Sequence, residues 1–127
     1  SADDNGKVKI LADEVLLGWA IENIIKNSLD AIGSNPGKIN VKLYELANQV
    51  IVELSDTGPG ITSKKESDIF KPGFTTKKYG WGLGLVLAKR IIEDYHRGHL
   101  VLKESLPGQT TFEISLPRLK EVKGEAK

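Results

Sequence analysis

The 127-residue sequence contains no cysteine and only two histidines. Without thiols it can form neither a disulfide-stapled secreted scaffold nor a cysteine-ligated zinc or iron–sulfur site, and two histidines cannot build a metal cage. Net charge is nearly absent as well, because 18 Lys and Arg face 17 Asp and Glu. A formal net charge of +1 gives no field strong enough to favour nucleic acid or an anionic membrane as the main partner.

Long apolar runs are also missing. No stretch approaches the roughly 18 apolar residues of a membrane span, and the start of the chain has neither the basic nor the apolar region of a signal peptide. With 39% hydrophobic residues, the composition predicts one soluble, cytoplasmic domain over residues 1–127, with a core of about 8–117 and a tail of 118–127. This prediction is compatible with a membrane-anchored parent protein.

Glycine, by contrast, is abundant and unevenly placed. The chain has 13 glycines, about a tenth of its residues against an average of about 7%. Each glycine raises the entropic cost of ordering the backbone, so a cluster indicates a place where the backbone bends sharply or approaches a ligand closely. Six of them lie between Asp56 and Leu85: Gly58, Gly60, Gly73, Gly80, Gly82 and Gly84.

Hydrophobic periodicity predicts two main helices and two hairpins. The helices run from Val15 to about Ile32 and from Leu83 to about Arg97, and the hairpins pair Lys38–Tyr44 with Val50–Leu54 and His99–Lys103 with Thr110–Leu116. A short strand at Val8–Leu11 and a short helix around Lys65–Phe70 complete the prediction. The core-facing stripe of the first helix consists of Leu17, Ile21, Ile24, Ile25, Ser28 and Ile32.

This order of elements predicts a two-layer α/β sandwich, in which one mixed, mostly antiparallel sheet is covered by helices on one face. The segment from Asp56 to Gly82 is rich in turn residues and lacks sustained periodicity. At roughly 25 residues it is longer than a structural connection usually needs, and segments of that length are commonly lids or binding loops. We therefore expect a flexible lid there.

Polar residues border the apolar stripe of the first helix. Asn23 and Asn27 are four residues apart and stand one above the other, and Asp30 continues the same border. Two carboxamides and a carboxylate can line a pocket whose floor is the core, although such a border also belongs to ordinary amphipathic helices. Glu22 and Lys26 lie around the other side, at the spacing of a surface ion pair.

An acidic residue, Asp56, ends the second predicted strand and is followed by Gly58 and Gly60. A carboxylate at a strand end can accept a hydrogen bond from an exocyclic amine, and the two glycines leave room for a flat ring to approach the backbone. A simple Asp-Thr-Gly turn explains the same residues.

A second glycine run, from Gly80 to Leu85, leads directly into the second helix. Free backbone N–H groups at a helix start, with no Cβ in the way, suit phosphate oxygens. The run matches neither the Walker pattern nor the Rossmann fingerprint, because no Gly-Lys-Ser/Thr follows and no parallel βαβ unit surrounds it.

Aromatic, hydroxyl and basic side chains lie between the two glycine clusters. Two aromatics can pin a lid to the body of the domain, and hydroxyls and ammonium groups suit phosphate. Ordinary loop packing and a solvated charge pair explain the same pattern. The residues are Phe70, Phe74, Thr75, Thr76, Lys77 and Lys78.

Taken together, four motifs occur in a fixed order: Asn-x-x-x-Asn on a helix, Asp-x-Gly-x-Gly after a strand, Phe-x-x-x-Phe in a loop, and Gly-x-Gly-x-Gly opening a helix. This order resembles the four boxes of the ATP-binding catalytic domain of sensor histidine kinases. That domain belongs to the Bergerat-type superfamily, which includes DNA gyrase B and the mismatch-repair ATPases. The resemblance extends from about Val8 to Leu116 and implies the Bergerat fold with a flexible ATP lid.

The resemblance also implies roles for individual residues. Asp56 would receive the adenine amino group, and Gly60 would let the base lie against the strand end. Asn27 would hold Mg²⁺, and Asn23 would help to position the metal and the phosphates, so both would be catalytic. The remaining members of the implied ATP site are Asp30, Gly58, Ile61, Phe70, Phe74, Thr75, Thr76, Lys77, Lys78, Gly80, Gly82, Leu83, Gly84, Leu85 and Thr111.

One position separates the branches of the superfamily. The hydrolysing members carry Glu at the place of Asn23, where it activates water, whereas asparagine is a poor base. The resemblance therefore implies transfer of the γ-phosphoryl group to a histidine in two-component phosphorelay signalling. The stretch Asn27–Ala31 resembles the mismatch-repair branch and keeps a hydrolysing ATPase as an alternative. A non-catalytic, nucleotide-dependent docking module is a second alternative.

The partners implied by the resemblance lie outside the sequence. The dimerisation domain with its phosphoacceptor histidine is expected to be absent, because neither His96 nor His99 has the required setting. A response regulator is expected as an indirect partner. Near the C-terminus the family usually shows Gly-x-Gly-Thr-x-Phe, whereas Pro107–Phe112 lacks one of the glycines.

Overall fold

A computed structural model of the protein describes residues 10, 12–60, 69–71 and 84–118. Two helical segments and four strands lie within these ranges. The short strand predicted at Val8–Leu11 and most of the short helix predicted around Lys65–Phe70 fall outside the described residues.

Helix α1 spans Glu14–Ile32, within a residue of its predicted start. It begins there because the Asp13 carboxylate accepts hydrogen bonds from the backbone N–H groups of Val15 and Leu16, both at 3.0 Å. It ends at Gly33, which adopts a φ of 66° and donates its N–H to the Leu29 carbonyl at 3.0 Å.

The buried face of α1 is narrower than the predicted stripe. Its fully buried residues are Ala20, Ile24 and Ser28, spaced four residues apart, while Leu17 and Ile21 pack only partly buried against the core. The predicted stripe omitted Ala20, which is fully buried.

Two hairpins form the sheet. The first pairs β1, Ile39–Glu45, with β2, Gln49–Asp56, and the second pairs β3, His99–Leu106, with β4, Gln109–Pro117. The strand order is β1-β2-β4-β3, and all three pairings are antiparallel. Helices cover one face, as predicted, and the core lies between the layers around Leu54, Phe112, Ile114 and Leu100.

The second predicted helix is two kinds of helix in succession. Helix α2 spans Gly84–Arg90 and continues as a π-helical turn over Ile91–Tyr95. His96 follows the turn and is buried. Its Nε2 accepts the backbone N–H of Asp13 at 3.0 Å, so Nδ1 carries the proton and donates to the Ile91 carbonyl at 2.8 Å. The imidazole thereby joins the end of the π turn to the start of α1.

The other face of the sheet carries Ile51 and a cluster of charged and polar side chains. The Lys103 ammonium bonds the carboxylate of Glu53, which also accepts the Tyr44 hydroxyl at 3.1 Å, and it lies 3.6 Å from Glu113. The hydrogen bond from Lys103 holds the pKa of Glu53 below its ordinary value. Neither described helix has the length and apolar character needed to cross a membrane.

Gly98 shows how closely the two layers meet after the π turn. A Cβ at this position would lie 2.2 Å from the Ser115 carbonyl oxygen and 3.3 Å from the Ile92 side chain. The backbone oxygen belongs to the β4 ladder and cannot move alone. Only glycine fits here without displacing β4.

Replacing Gly98 by alanine is expected to lower the free energy of unfolding by about 1–3 kcal/mol through this overlap. Gly18→Ala is the matched control, since Gly18 is exposed in α1 and a Cβ there meets no described atom within 4 Å. Its better helix propensity should raise the free energy by about 1 kcal/mol. Urea unfolding measures both, and a Gly98→Ala variant of unchanged stability would contradict the close approach.

Candidate functional site

Asp56 ends β2 in the centre of the sheet and is the chemically most informative residue there. It is buried, with 3% of its surface exposed. Its Oδ1 accepts the backbone N–H of Gly58 at 2.8 Å, whereas its Oδ2 has no hydrogen-bond partner among the described residues. One oxygen thus orients the carboxylate, and the other is buried with an unused acceptor position.

Ser28, fully buried on α1, is the second buried group of this kind. Its hydroxyl oxygen also lacks a partner among the described residues. The loop after Asp56 is pressed against the same part of α1, because a Cβ on Gly58 would lie 3.2 Å from that of Ala31. An unpaired buried polar group costs about 1–3 kcal/mol, so two at the same end of the domain point to a ligand.

Neighbouring loops hold the end of β2 in place. The Thr57 hydroxyl accepts the backbone N–H of Lys38 at 2.9 Å, and the Gly58 carbonyl accepts that of Gly108 at 2.8 Å. Gly60 has a φ of 91°, and a Cβ on it would lie 3.0 Å from the Leu106 carbonyl oxygen. Gly58 and Gly60 therefore serve packing inside the protein, and the approach of a ring to Gly60 stays a prediction.

Asn23 and Asn27 are half-buried along α1, and Asn23 meets the start of α2. A Cβ on Gly84 would lie 3.9 Å from the Cβ and 4.0 Å from the Cγ of Asn23. The structure therefore brings together Asn23 and Gly84, two of the predicted site residues. Asp30, the third residue of the predicted polar border, is exposed.

The prediction for Thr111 is wrong, because its side chain lies on the other face of the sheet. Its hydroxyl lies 2.9 Å from that of Ser55 and hydrogen-bonds to it. Thr110 is the residue directly opposite Asp56 in the β2–β4 register, and it is buried. Residues opposite each other in antiparallel strands share a face, so Thr110 is the hydroxyl at the site.

The sequence held a signal that could have found Thr110. Phe112 is an obvious core residue, and side chains two residues apart in a strand lie on the same face. The missing glycine in Pro107–Phe112 obscured that register.

Phe70 packs between the sheet and α2. Its ring meets that of Phe112 edge to face, with centroids 6.4 Å apart and planes at 75°. The Lys89 ammonium lies 4.7 Å from its centroid, and Ile69 beside it is fully buried. Phe70, one of the two predicted anchoring residues, therefore contacts the core residue Phe112, and its predicted partner Phe74 lies outside the described residues.

The remaining predicted site residues divide into two groups. Leu85 packs its side chain in the core, so only its backbone can take the predicted role. Outside the described residues lie Ile61, Phe74, Thr75, Thr76, Lys77, Lys78, Gly80, Gly82 and Leu83. Among the described residues no three His, Asp or Glu side chains come together in a way that could hold a metal ion.

The domain is thus a two-layer α/β sandwich whose central strand β2 ends in a buried carboxylate with one oxygen unpartnered among the described residues. The family described as "Histidine kinase-, DNA gyrase B-, and HSP90-like ATPase" matches residues 12–120, and the chain belongs to it. The predicted resemblance is thereby confirmed, and ATP binding is the property that the family shares.

Similar proteins come from the sensor histidine kinases. The chain is 40% identical over 116 residues to the signal transduction histidine-protein kinase AtoS of Escherichia coli (strain K12), a match that covers 90% of this chain and 19% of AtoS. It is 36% identical over 112 residues to the C4-dicarboxylate transport sensor protein DctB of Rhizobium meliloti (strain 1021), covering 87% of this chain and 18% of DctB. It thus spans about a fifth of the length of these relatives.

Solved structures agree with these relatives. The catalytic domain of histidine kinase ThkA superposes with a TM-score of 0.78 at 32% identity, over 91% of this chain and 76% of that one. ThkA in complex with the response regulator protein TrrA superposes with a TM-score of 0.75 at 29% identity, over 91% of this chain and 32% of that one. The predicted fold is confirmed by these likenesses.

Removing the Ser28 hydroxyl is expected to raise the free energy of unfolding of the ligand-free domain by about 1 kcal/mol, because an unpaired buried group is removed. Ser55→Ala is the control, since that hydroxyl is bonded to Thr111, and it should lower the free energy by about 1 kcal/mol. Urea unfolding compares them. If Ser28→Ala destabilised the domain as much as Ser55→Ala, the Ser28 hydroxyl would have a partner.

Proposed function

We propose that this domain binds Mg²⁺-ATP and donates the γ-phosphoryl group to a histidine on a separate dimerisation domain of its parent sensor kinase. The observation that carries the proposal is the buried Asp56 carboxylate, which has one oxygen held by Gly58 and the other unpartnered among the described residues. A site with a fixed, unused acceptor suits a ligand that brings a donor.

The adenine base is the donor that fits this acceptor. Its exocyclic amino group would donate to Asp56 Oδ2, and the hydroxyls of Ser28 on α1 and of Thr110, opposite Asp56 in the β2–β4 register, would meet the ring nitrogens. Guanine carries a carbonyl at the corresponding ring position, which would leave two acceptors facing each other in a buried site. Because unpaired buried polar groups are costly, such a site discriminates strongly between the two bases.

The phosphates would extend from the base toward Asn23 and Asn27. Asn27 would hold the Mg²⁺ through its amide oxygen, and the bound ion would neutralise charge on the phosphates. Asn23, against the start of α2, would orient the phosphate chain. Phosphoryl transfer needs positioning and charge stabilisation more than a protein nucleophile, and these two amides supply positioning.

The exposed position of Glu22 favours transfer of the γ-phosphoryl group to a protein side chain over hydrolysis of ATP. A hydrolysing enzyme needs a base beside the γ-phosphate, and Glu22 is the acidic residue next to Asn23 in the sequence. Its side chain is 60% exposed and lies 4.0 Å from Lys26 in a surface ion pair. A carboxylate turned to solvent there cannot activate water in the site.

The partners we propose are the dimerisation domain that carries the phosphoacceptor histidine and, through it, a response regulator. The relatives are sensor kinases, and ThkA forms a complex with a response regulator. The predicted lid, which lies mostly outside the described residues, would close over the nucleotide, with Phe70 as its described contact with the body.

Two neighbouring threonines offer a matched test of the ATP site. Thr110→Val should weaken Mg²⁺-ATP binding about three- to tenfold, the value of one neutral hydrogen bond, whereas Thr111→Val should change it less than about twofold. Asp56→Asn should weaken it about a hundredfold, since a charged acceptor is lost. Calorimetry reads all three, and equal affinities for Asp56→Asn and the unsubstituted domain would refute the adenine assignment.

Phosphotransfer distinguishes the three functions considered. Incubation with Mg²⁺-ATP and a histidine-containing dimerisation domain should give an acid-labile phosphoprotein, and Asn27→Ala should abolish it while Glu22→Gln leaves it unchanged. Steady-state phosphate release that is lost in Glu22→Gln would instead support a hydrolysing ATPase. Tight nucleotide binding without any phosphoprotein would support a docking module.

A further inference from the structure

Lys89 on α2 is held at three points. Its ammonium donates to Oε2 of Glu93 at 2.8 Å and to the Leu100 carbonyl at 3.1 Å, and it lies 4.7 Å from the centre of the Phe70 ring. Its side chain is 34% exposed, whereas that of the adjacent Arg90 is 71% exposed. Lys89 is therefore a partly buried cation with defined contacts, unlike an ordinary surface lysine.

Glu93 fixes the ammonium in place. The oxygen that accepts from Lys89 also accepts the backbone N–H of Leu100 at 3.1 Å, so the carboxylate is tied to the start of β3. Burial opposes ionisation of Glu93, but the hydrogen bonds from Lys89 and Leu100 outweigh it, and its pKa lies below the ordinary value. The ion pair is thus intact at neutral pH and connects α2, the π turn and β3.

The Phe70 ring contacts both this cation and the ring of Phe112. A cation over an aromatic face is worth more when it is desolvated, and edge-to-face packing adds to it. Phe112 is paired with Leu54, which lies two residues before Asp56 on the same face of β2. The Phe70 ring is therefore connected through one residue to the strand that carries the proposed adenine acceptor.

We propose that Lys89 is a positioning residue for nucleotide binding. Its ammonium, oriented by Glu93, holds the Phe70 ring against Phe112, whose partner Leu54 lies on the strand that ends at Asp56. This inference rests on the proposed function. It requires that the effect of Lys89 on nucleotide affinity passes through Phe70.

A double-mutant cycle tests that requirement. Lys89→Met keeps the long apolar stem and removes the charge, and it should weaken Mg²⁺-ATP binding about three- to tenfold. In a Phe70→Leu background the same substitution should change the affinity less than about twofold, because the ring is gone. Lys89→Arg keeps a cation over the ring, so its affinity for Mg²⁺-ATP should stay within about twofold of that of the unsubstituted domain.

The neighbouring pair gives a matched control. Arg90 and Asp94 have the same four-residue spacing one position along, at 3.7 Å, and both are largely exposed. Arg90→Met should leave the affinity unchanged in both backgrounds. Urea unfolding of every variant confirms that binding is measured on folded protein.

The possible results distinguish the role of Lys89 from the proposed binding of Mg²⁺-ATP by the domain. If Lys89→Met lowered the affinity equally with and without the Phe70→Leu substitution, the role of Lys89 would be merely structural and the inference alone would be overturned. An unsubstituted domain that does not bind Mg²⁺-ATP at all would overturn the proposed function and this inference with it.

Discussion

Two hairpins become one sheet through the pairing of β2 with β4, and the register of that pairing decides which side chains meet at the site. It sets Leu54 against Phe112 in the core and Asp56 against Thr110 at the end of the sheet. Because side chains alternate between faces, a slip of one residue would turn Asp56 away from α1 and expose the core pair. Burial of two apolar side chains thus fixes the place of the polar ones.

The two unpartnered polar groups at the site lower the free energy of unfolding of the ligand-free domain compared with apolar residues in the same positions. An unpartnered carboxylate oxygen and an unpartnered hydroxyl, as far as the described residues extend, both lie buried between α1 and β2. Proteins violate polar satisfaction mainly where a ligand completes it. Close packing of Gly58 against α1 and of Gly60 against the β3–β4 turn holds this region together despite the unfavourable free energy of the unpaired groups. Rigid support around an unsatisfied group is what preorganises it for binding.

Local patterns predict most of this fold. Asp13, Gly33 and the apolar periodicity place α1 within a residue, and both hairpins follow from alternation around short turns. The junction of the hairpins is a long-range contact whose register local patterns do not set, and the sequence prediction named Thr111 where Thr110 faces Asp56. The π turn also involves a contact between residues far apart in the sequence, because His96, which follows the turn, hydrogen-bonds to the backbone at the start of α1. The motifs marked Asp56 and Asn23, but an unused acceptor and an ordered Lys89 are visible only in three dimensions.

His96 has a consequence for self-modification. A histidine becomes a phosphoryl acceptor only when one ring nitrogen presents a lone pair to the phosphorus atom. In this domain the Nε2 lone pair is taken by a backbone N–H, and Nδ1 carries a proton that is committed to a carbonyl. The imidazole is also buried. The lone pair and the proton of the His96 imidazole are therefore both engaged within the domain, and this buried histidine is not available as a phosphoryl acceptor.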